Sequence, residues 1–352
     1  MLNSMRRQSL IGYGRPLCET VAECPQPQGT EVLVRVQCCG VCHSDLHMHD
    51  GYFQLGDDKR LDVTAGRSLP FTLGHEIAGR VVQIGPQVDE RERDRPVAVY
   101  PWIGCNTCAA CKRGDENICA APRHLGITTD GGYATHVLVP HPRYLLDYAP
   151  LSPALAATYM CSGLTAYAAL KRLSDHAHRG PLLLIGLGGV GMMGLSLARA
   201  MFARPPLAAD IDPSKRKAAE AFGATVFDPT DPGARKAVIT ATEGGAHAVC
   251  DFVGSGSSLT FATGVLAKGG KVVVTGLLGG GFTIATAMFP MKSIAIEGTL
   301  AGTLAEAREV LSLARTGSLP AIPIDQRPLA DAQAALDDLR AGKVLGRIVL
   351  TA

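Results

Sequence analysis

Aromatic residues are scarce in this 352-residue sequence, at 5%, and Trp102 is the sole tryptophan. Charge is scarce too: Asp, Glu, Lys and Arg make up 19%, and the net formal charge is only +2. So balanced a chain has no electrostatic footprint for nucleic acid or an anionic membrane surface, and neither is expected as a partner. No apolar run approaches the ~20 residues that a membrane-crossing helix needs. The opening MLNSMRRQSL carries two arginines but no apolar stretch behind them. No secretory leader is therefore expected, and the reading is cytoplasmic. Repeats at solenoid spacing and low-complexity tracts are missing as well.

What is present is apolar character, glycine and cysteine. Apolar residues reach 47%, and the length suggests two domains at ~150 residues each. The 40 glycines imply turns or close backbone approaches that side chains would block. The 11 cysteines are clustered, and clustered cysteines in a leaderless chain point to metal binding before disulfides.

The pattern changes near residue 151. Before it, short apolar stretches at 32–36, 77–84, 97–99 and 133–139 alternate with Gly and Pro and read as β-strands. After it, a helix is expected over 153–170, then strands at 182–185, 207–211, 248–252 and 271–275. Helices fall between them, to about 201 and at 214–222 and 257–266. Near-continuous apolar strands alternating with helices indicate an α/β fold with a parallel, doubly wound sheet. Two further helices, 304–315 and 330–341, and a strand at 346–350 close the chain.

The strand at 182–185 runs into Gly186-Leu-Gly188-Gly189-Val190-Gly191, and Asp210 follows 24 residues after Gly186. Gly186 permits the tight turn, Gly188 lets backbone approach a pyrophosphate, and Gly191 lets helix and strand touch. The free N–H groups of the following helix attract the anion. Asp210 is expected to accept the adenosine ribose hydroxyls and to repel a 2′-phosphate, which selects NAD over NADP. Lys215 is either a donor near that ribose or part of a solvated helix face.

Cys105-x2-Cys108-x2-Cys111-x7-Cys119 supplies four thiolates within fifteen residues. That set closes a tetrahedral zinc shell with no open position, as structural zinc requires. A second set is dispersed: Cys42, His75 and Cys161. Three such ligands leave zinc an open position for Lewis-acid chemistry. Read singly, Cys161 is equally a packed core cysteine and His75 a satisfied structural histidine.

Together these segments resemble the zinc-dependent medium-chain alcohol dehydrogenases over almost the whole length. The resemblance is carried by GVCHSDLH (40–47), GHEIAG (74–79), the four-cysteine lobe, MCSGLT (160–165) and the glycine fingerprint. It implies a GroES-like β-barrel catalytic domain, 1–161 and 299–352, and a Rossmann NAD-binding domain, 162–298, with the active site in the cleft between them. It implies two Zn²⁺ per chain and an association into homotetramers or homodimers. The reaction it implies is reversible hydride transfer between a primary or secondary alcohol and NAD⁺.

The same resemblance assigns roles. Cys42, His75 and Cys161 correspond to the catalytic zinc ligands, Glu76 to a carboxylate behind them that can approach the metal, and Asp45 to the partner that orients His75. Ser44 and His47 correspond to a proton relay by way of the nicotinamide ribose. His43 stands where some members carry an arginine near the pyrophosphate. Thr165 corresponds to a residue against the nicotinamide ring. Arg347 corresponds to a second pyrophosphate contact, its other reading being an ordinary surface arginine. Trp102 corresponds to an aromatic wall of the alcohol pocket. Two other enzyme classes stand beside this one. Polyol and sugar dehydrogenases usually take a carboxylate as third zinc ligand, which Cys161 opposes, and zinc-free medium-chain reductases lack both metal sets. The residues 51–67 form an insertion between two expected ligands, either bordering the substrate channel or a subunit contact, or making a polar surface excursion.

Overall fold

The computed structural model describes residues 4–352. Among these, the N-terminal part is built on a seven-stranded sheet whose centre is Val32–Gly40. Val32, Val34 and Val36 are buried on this strand, as a central strand's β-branched residues should be. Glu76–Ile84 pairs antiparallel along one side of it and Arg347–Thr351 along the other. The last strand of the chain thus returns to the first sheet. Gly40 faces Glu76 across one ladder and Val349 across the other, which brings Glu76 close to Arg347.

The C-terminal part contains a six-stranded, all-parallel sheet. Its order is Thr225–Phe227, Leu207–Ala209, Leu182–Ile185, Ala246–Asp251, Leu266–Val274 and Ala295–Gly298. The four side chains of Leu182–Ile185 are all buried, each contributing roughly 1.5–3 kcal/mol of burial free energy. Strand order reverses between Leu182–Ile185 and its neighbour Ala246–Asp251, and ligand crevices of doubly wound sheets open at such a point.

Several elements differ from the sequence expectation. The helix expected over 153–170 is a longer run, Pro153–Thr158 and Leu164–Arg179 joined by a π-helical turn, Tyr159–Gly163. Periodicity cannot reveal one extra residue in a turn, and such turns collect at functional sites. Strands Ser4–Leu10, Cys18–Glu23, Ala295–Gly298 and Ile324–Pro328 were not expected, because none carries a clear apolar alternation. The 51–67 insertion contains a largely exposed hairpin, Tyr52–Gly56 with Lys59–Asp62. Its tip meets the other part of the chain, since a side chain on Gly56 would lie 2.5 Å from the Gly281 nitrogen. No helix among the described residues is long and apolar enough to cross a membrane.

Candidate active site

A short helix, His43–Asp50, opens the site. Its N-cap is Cys42, and the Asp45 carboxylate reaches back to accept the Cys42 backbone N–H at 2.9 Å. Asp45 is fully buried. It also accepts from the Tyr133 hydroxyl (3.0 Å) and the Gly74 N–H (3.3 Å), and it lies 3.2 Å from His75 Nδ1. A buried carboxylate with this many partners has one orientation, and it fixes His75 in turn.

Both His75 nitrogens are buried without a hydrogen-bond partner, Nδ1 meeting Asp45 only as an ion-pair contact, and Glu76 Oε2 has none either. Ligand atoms of Cys42, His75, Glu76 and Cys161 all lie within 4.8 Å of one another, and all four residues are buried. Cys161 reaches this cluster from the π-helical turn, its Sγ 3.9 Å from that of Cys42. That contact with Cys161 holds the Cys42 thiol well below its usual range against the opposing effect of burial, while Cys161 is pushed up. Unpartnered imidazole and carboxylate atoms beside two thiols are costly alone and suit a borderline-soft cation such as zinc. One Glu76 carboxylate oxygen falls within the same 4.8 Å group, close enough for a carboxylate that approaches the metal. Glu76 Oε1 accepts from Arg347 at 2.5 Å.

Cys42 and Cys161 line a cleft of about 310 Å³. His43, Ser44, His47, Trp102, Thr165, Gly186, Gly188, Gly189, Val190, Gly191, Asp210, Lys215 and Arg347 all line it. His75, Glu76 and Asp45 stand behind its wall. At the glycine turn, Gly186 has φ 87°, and a Cβ on Gly191 would lie 1.8 Å from the Gly186 carbonyl. A Cβ on Gly188 would meet nothing within 4 Å. That empty space beside open helix N–H groups fits a dinucleotide pyrophosphate.

The surface reading of Arg347 fails. Arg347 is 3% exposed, and its Cδ would be 2.5 Å from a Gly189 Cβ. Lys215 is half-buried, lines the cleft and stands 3.8 Å from Asp212, so its two readings both stand. Asp210 has a task beyond the one foreseen: its carboxylate accepts the backbone N–H groups of Leu187 (2.6 Å) and Asp212 (2.8 Å), tying the glycine turn to the neighbouring strand. His47 packs on Phe53 of the inserted hairpin, centroids 4.4 Å apart, and burial holds its pKa below the ordinary 6.5. Trp102 donates its indole N–H to the Met160 carbonyl at 3.0 Å and lies 5.4 Å from the His75 ring.

The second cysteine set also converges. The ligand atoms of Cys105, Cys108, Cys111 and Cys119 lie within 4.8 Å of one another. Their sulfurs accept backbone N–H bonds: Cys105 from Cys108 (3.4 Å), Cys108 from Cys111 (3.5 Å) and Cys119 from Ala121 (3.4 Å). Hydrogen bonds from Thr107 and the backbone bring Cys105 down to about 5. Donors aimed at sulfur favour thiolates, the form that holds zinc.

Residues 28–149 match the family profile described as the alcohol dehydrogenase GroES-like domain, and residues 189–316 match that of the zinc-binding dehydrogenases. The chain is 36% identical over 349 residues to an NAD-dependent alcohol dehydrogenase of Sulfurisphaera tokodaii, covering 98% of this chain and 99% of the relative. It belongs to the zinc-type alcohol dehydrogenase family. An NAD-dependent alcohol dehydrogenase of Saccharolobus solfataricus is 35% identical, with 98% and 99% covered. The crystal structure of the Aeropyrum pernix alcohol dehydrogenase superposes with a TM-score of 0.88 at 29% identity, covering 99% of this chain and 100% of that one.

Sequence reasoning did not find every residue of this family member's cleft. Phe252, Val253, the 275–278 and 299–301 segments and Leu339 line it too. The positions 275–278 directly follow a parallel strand, and that was the available signal. The 299–301 segment follows the parallel strand Ala295–Gly298 in the same way, but that strand was not expected from the sequence; Leu339 carries no signal, because only the returning chain brings it there.

Proposed function

We propose that this chain catalyses reversible oxidation of an apolar alcohol to the aldehyde or ketone with NAD⁺ as hydride acceptor. The observation that carries this reading is the cluster of Cys42, His75 and Cys161, two of whose members line the same cleft as the Gly186–Gly191 turn. When bound, zinc at these three ligands supplies Lewis acidity toward the alcohol oxygen, and NAD⁺ supplies the nicotinamide carbon that takes hydride. Asp45 holds His75 in the orientation that turns Nε2 to the cluster. Glu76 and Arg347 balance charge beside it. Ser44 hydrogen-bonds the alcohol and accepts its proton, and His47, three residues on along the same helix face, takes protons toward solvent. The glycine turn and Arg347 bind pyrophosphate, helped by His43, while Asp210 and Lys215 hold the adenosine ribose. Thr165 packs on the nicotinamide. Trp102 and Leu300 give the pocket apolar walls. Cys105, Cys108, Cys111 and Cys119 hold a second, structural zinc.

We also propose the domain division 1–161 with 299–352 and 162–298, and a homodimer or homotetramer built through the exposed edge strand Ala295–Gly298. Beside it Met291 is 72% exposed, which supports burial against a second copy.

The test is NADH formation, followed by absorbance, against short aliphatic, long aliphatic, benzylic and secondary alcohols, with and without chelator. Turnover of an alcohol with NAD⁺ that fails with NADP⁺ and after chelation is expected. No turnover by protein carrying two zinc ions per chain would sink the reading.

A further inference from the structure

The four-cysteine lobe reaches both apolar walls of the alcohol pocket. Asn117 lies between Cys111 and Cys119 and is 3% exposed. Its side-chain N–H donates at 2.6 Å to the carbonyl of Leu300, 183 residues away. Leu300 and Ala301 line the cleft. Ala301 has φ 47°, a left-handed conformation unfavourable for a residue with a Cβ. On its far side, the Gly302 carbonyl accepts from the Tyr100 hydroxyl at 2.9 Å. The Tyr100 ring stacks on Tyr144, whose hydroxyl donates at 2.7 Å to Glu116, the residue before Asn117. This pocket wall is therefore held in a strained backbone by two hydrogen bonds that both lead back to the lobe. Such strain persists only where the surroundings over-determine it.

Trp102, which lines the same cleft, has a support of its own. Trp102 is wedged between His75 and His124, with ring centroids 5.4 and 5.3 Å away, the His124 contact edge-on. His124 is 6% exposed and comes five residues after Cys119, and its carbonyl receives the N–H groups of Ile127, Thr128 and Thr129. Those bonds fix its backbone, while its Nε2 has no protein partner.

We propose that Asn117 and His124 are positioning residues through which the lobe sets the separation of the Leu300 and Trp102 walls, and with it the size of alcohol accepted. The proposal rests on the alcohol dehydrogenase reading above. Neither residue touches the reacting atoms. Loosening a wall weakens ground-state and transition-state binding alike, so KM for alcohol rises while kcat holds.

The experiment uses the full, metal-loaded chain. Asn117→Ala is expected to raise KM for benzyl alcohol about 10-fold and KM for ethanol less, with kcat within about twofold and KM for NAD⁺ unchanged. Asn117→Gln, which keeps an amide donor, should recover part of the loss. His124→Ala should increase acrylamide quenching of the emission of Trp102, the sole tryptophan. Should Asn117→Ala not fold, Asn117→Leu, of similar volume and without a donor, carries the test. Unchanged benzyl alcohol KM in a folded, two-zinc Asn117 variant overturns the proposal, as does unchanged Trp102 quenching in His124→Ala. A wild-type protein that oxidises no alcohol overturns the functional reading instead, and the quenching measurement still decides the role of His124.

Discussion

The Arg347 guanidinium donates to the Glu76 carboxylate at 2.5 Å with the two side chains 4% and 0% exposed. Arg347 comes from the last strand and Glu76 from the strand that follows His75. The same Arg347 side chain lies against Gly189. One buried cation thus connects the cysteine–histidine cluster to the cofactor turn. Burial pushes Glu76 up to about 7 although Arg347 opposes it.

Removing one partner of a buried ion pair typically costs about 3–5 kcal/mol, because the other charge is stranded. Arg347→Leu should therefore lower Tm by on the order of 10 °C and weaken NAD⁺ binding, since the guanidinium also faces the cleft. Calorimetry and cofactor titration check both. A Tm within about 2 °C of wild type would show that the pair is not a structural link.

Two glycines of the fingerprint should respond oppositely to alanine. At Gly191 a Cβ would meet the Gly186 carbonyl at 1.8 Å, so Gly191→Ala should destabilise the fold itself. At Gly188 the Cβ meets no protein atom, so Gly188→Ala should keep its Tm while KM for NAD⁺ rises at least about 10-fold. Equal thermal losses in the two variants would contradict this division.

His47 sets an acid limb. Burial holds its pKa below 6.5, so the imidazole is neutral and able to accept protons through neutrality. As pH falls through that lowered value the base form is lost and alcohol oxidation should slow, while carbonyl reduction should gain. His47→Gln should slow oxidation and flatten the limb, with partial rescue by a small buffer base. A pH–rate profile identical to wild type would remove His47 from the relay.

The four-cysteine lobe has few buried residues of its own, and the 109–113 helix buries none. Cys119→Ser should reduce zinc from two to one per chain and lower Tm by on the order of 10 °C. Metal analysis and calorimetry provide the readout. Retention of two zinc ions by the variant would show that the set does not close on a metal.

Much of this was legible in the primary structure, because its signals are local. Cys105 to Cys119 lie within fifteen residues, and the Gly186–Gly191 turn with Asp210 sits in a strand–turn–helix unit. Ser44 and His47 share a helix face through spacing alone. Long-range partners left weaker traces. Arg347 kept a surface reading beside the pyrophosphate one, because only the ladder pairing Arg347–Thr351 with Val32–Gly40 takes it inside. The insertion read equally as a surface excursion, because nothing in it announces the chain segment that meets its tip.

The sequence by itself determined which chemistry the chain carries: thiols, imidazoles and glycines at spacings that backbone geometry converts into metal and phosphate sites. Tertiary structure alone decided that Cys42, His75 and Cys161 share one cluster, that Glu76 enters it, and that Asn117 reaches Leu300. The physical reason is distance along the chain. Spacing within one element fixes geometry through local dihedral angles, whereas contacts between remote elements depend on strand register and on how the whole chain buries its apolar surface.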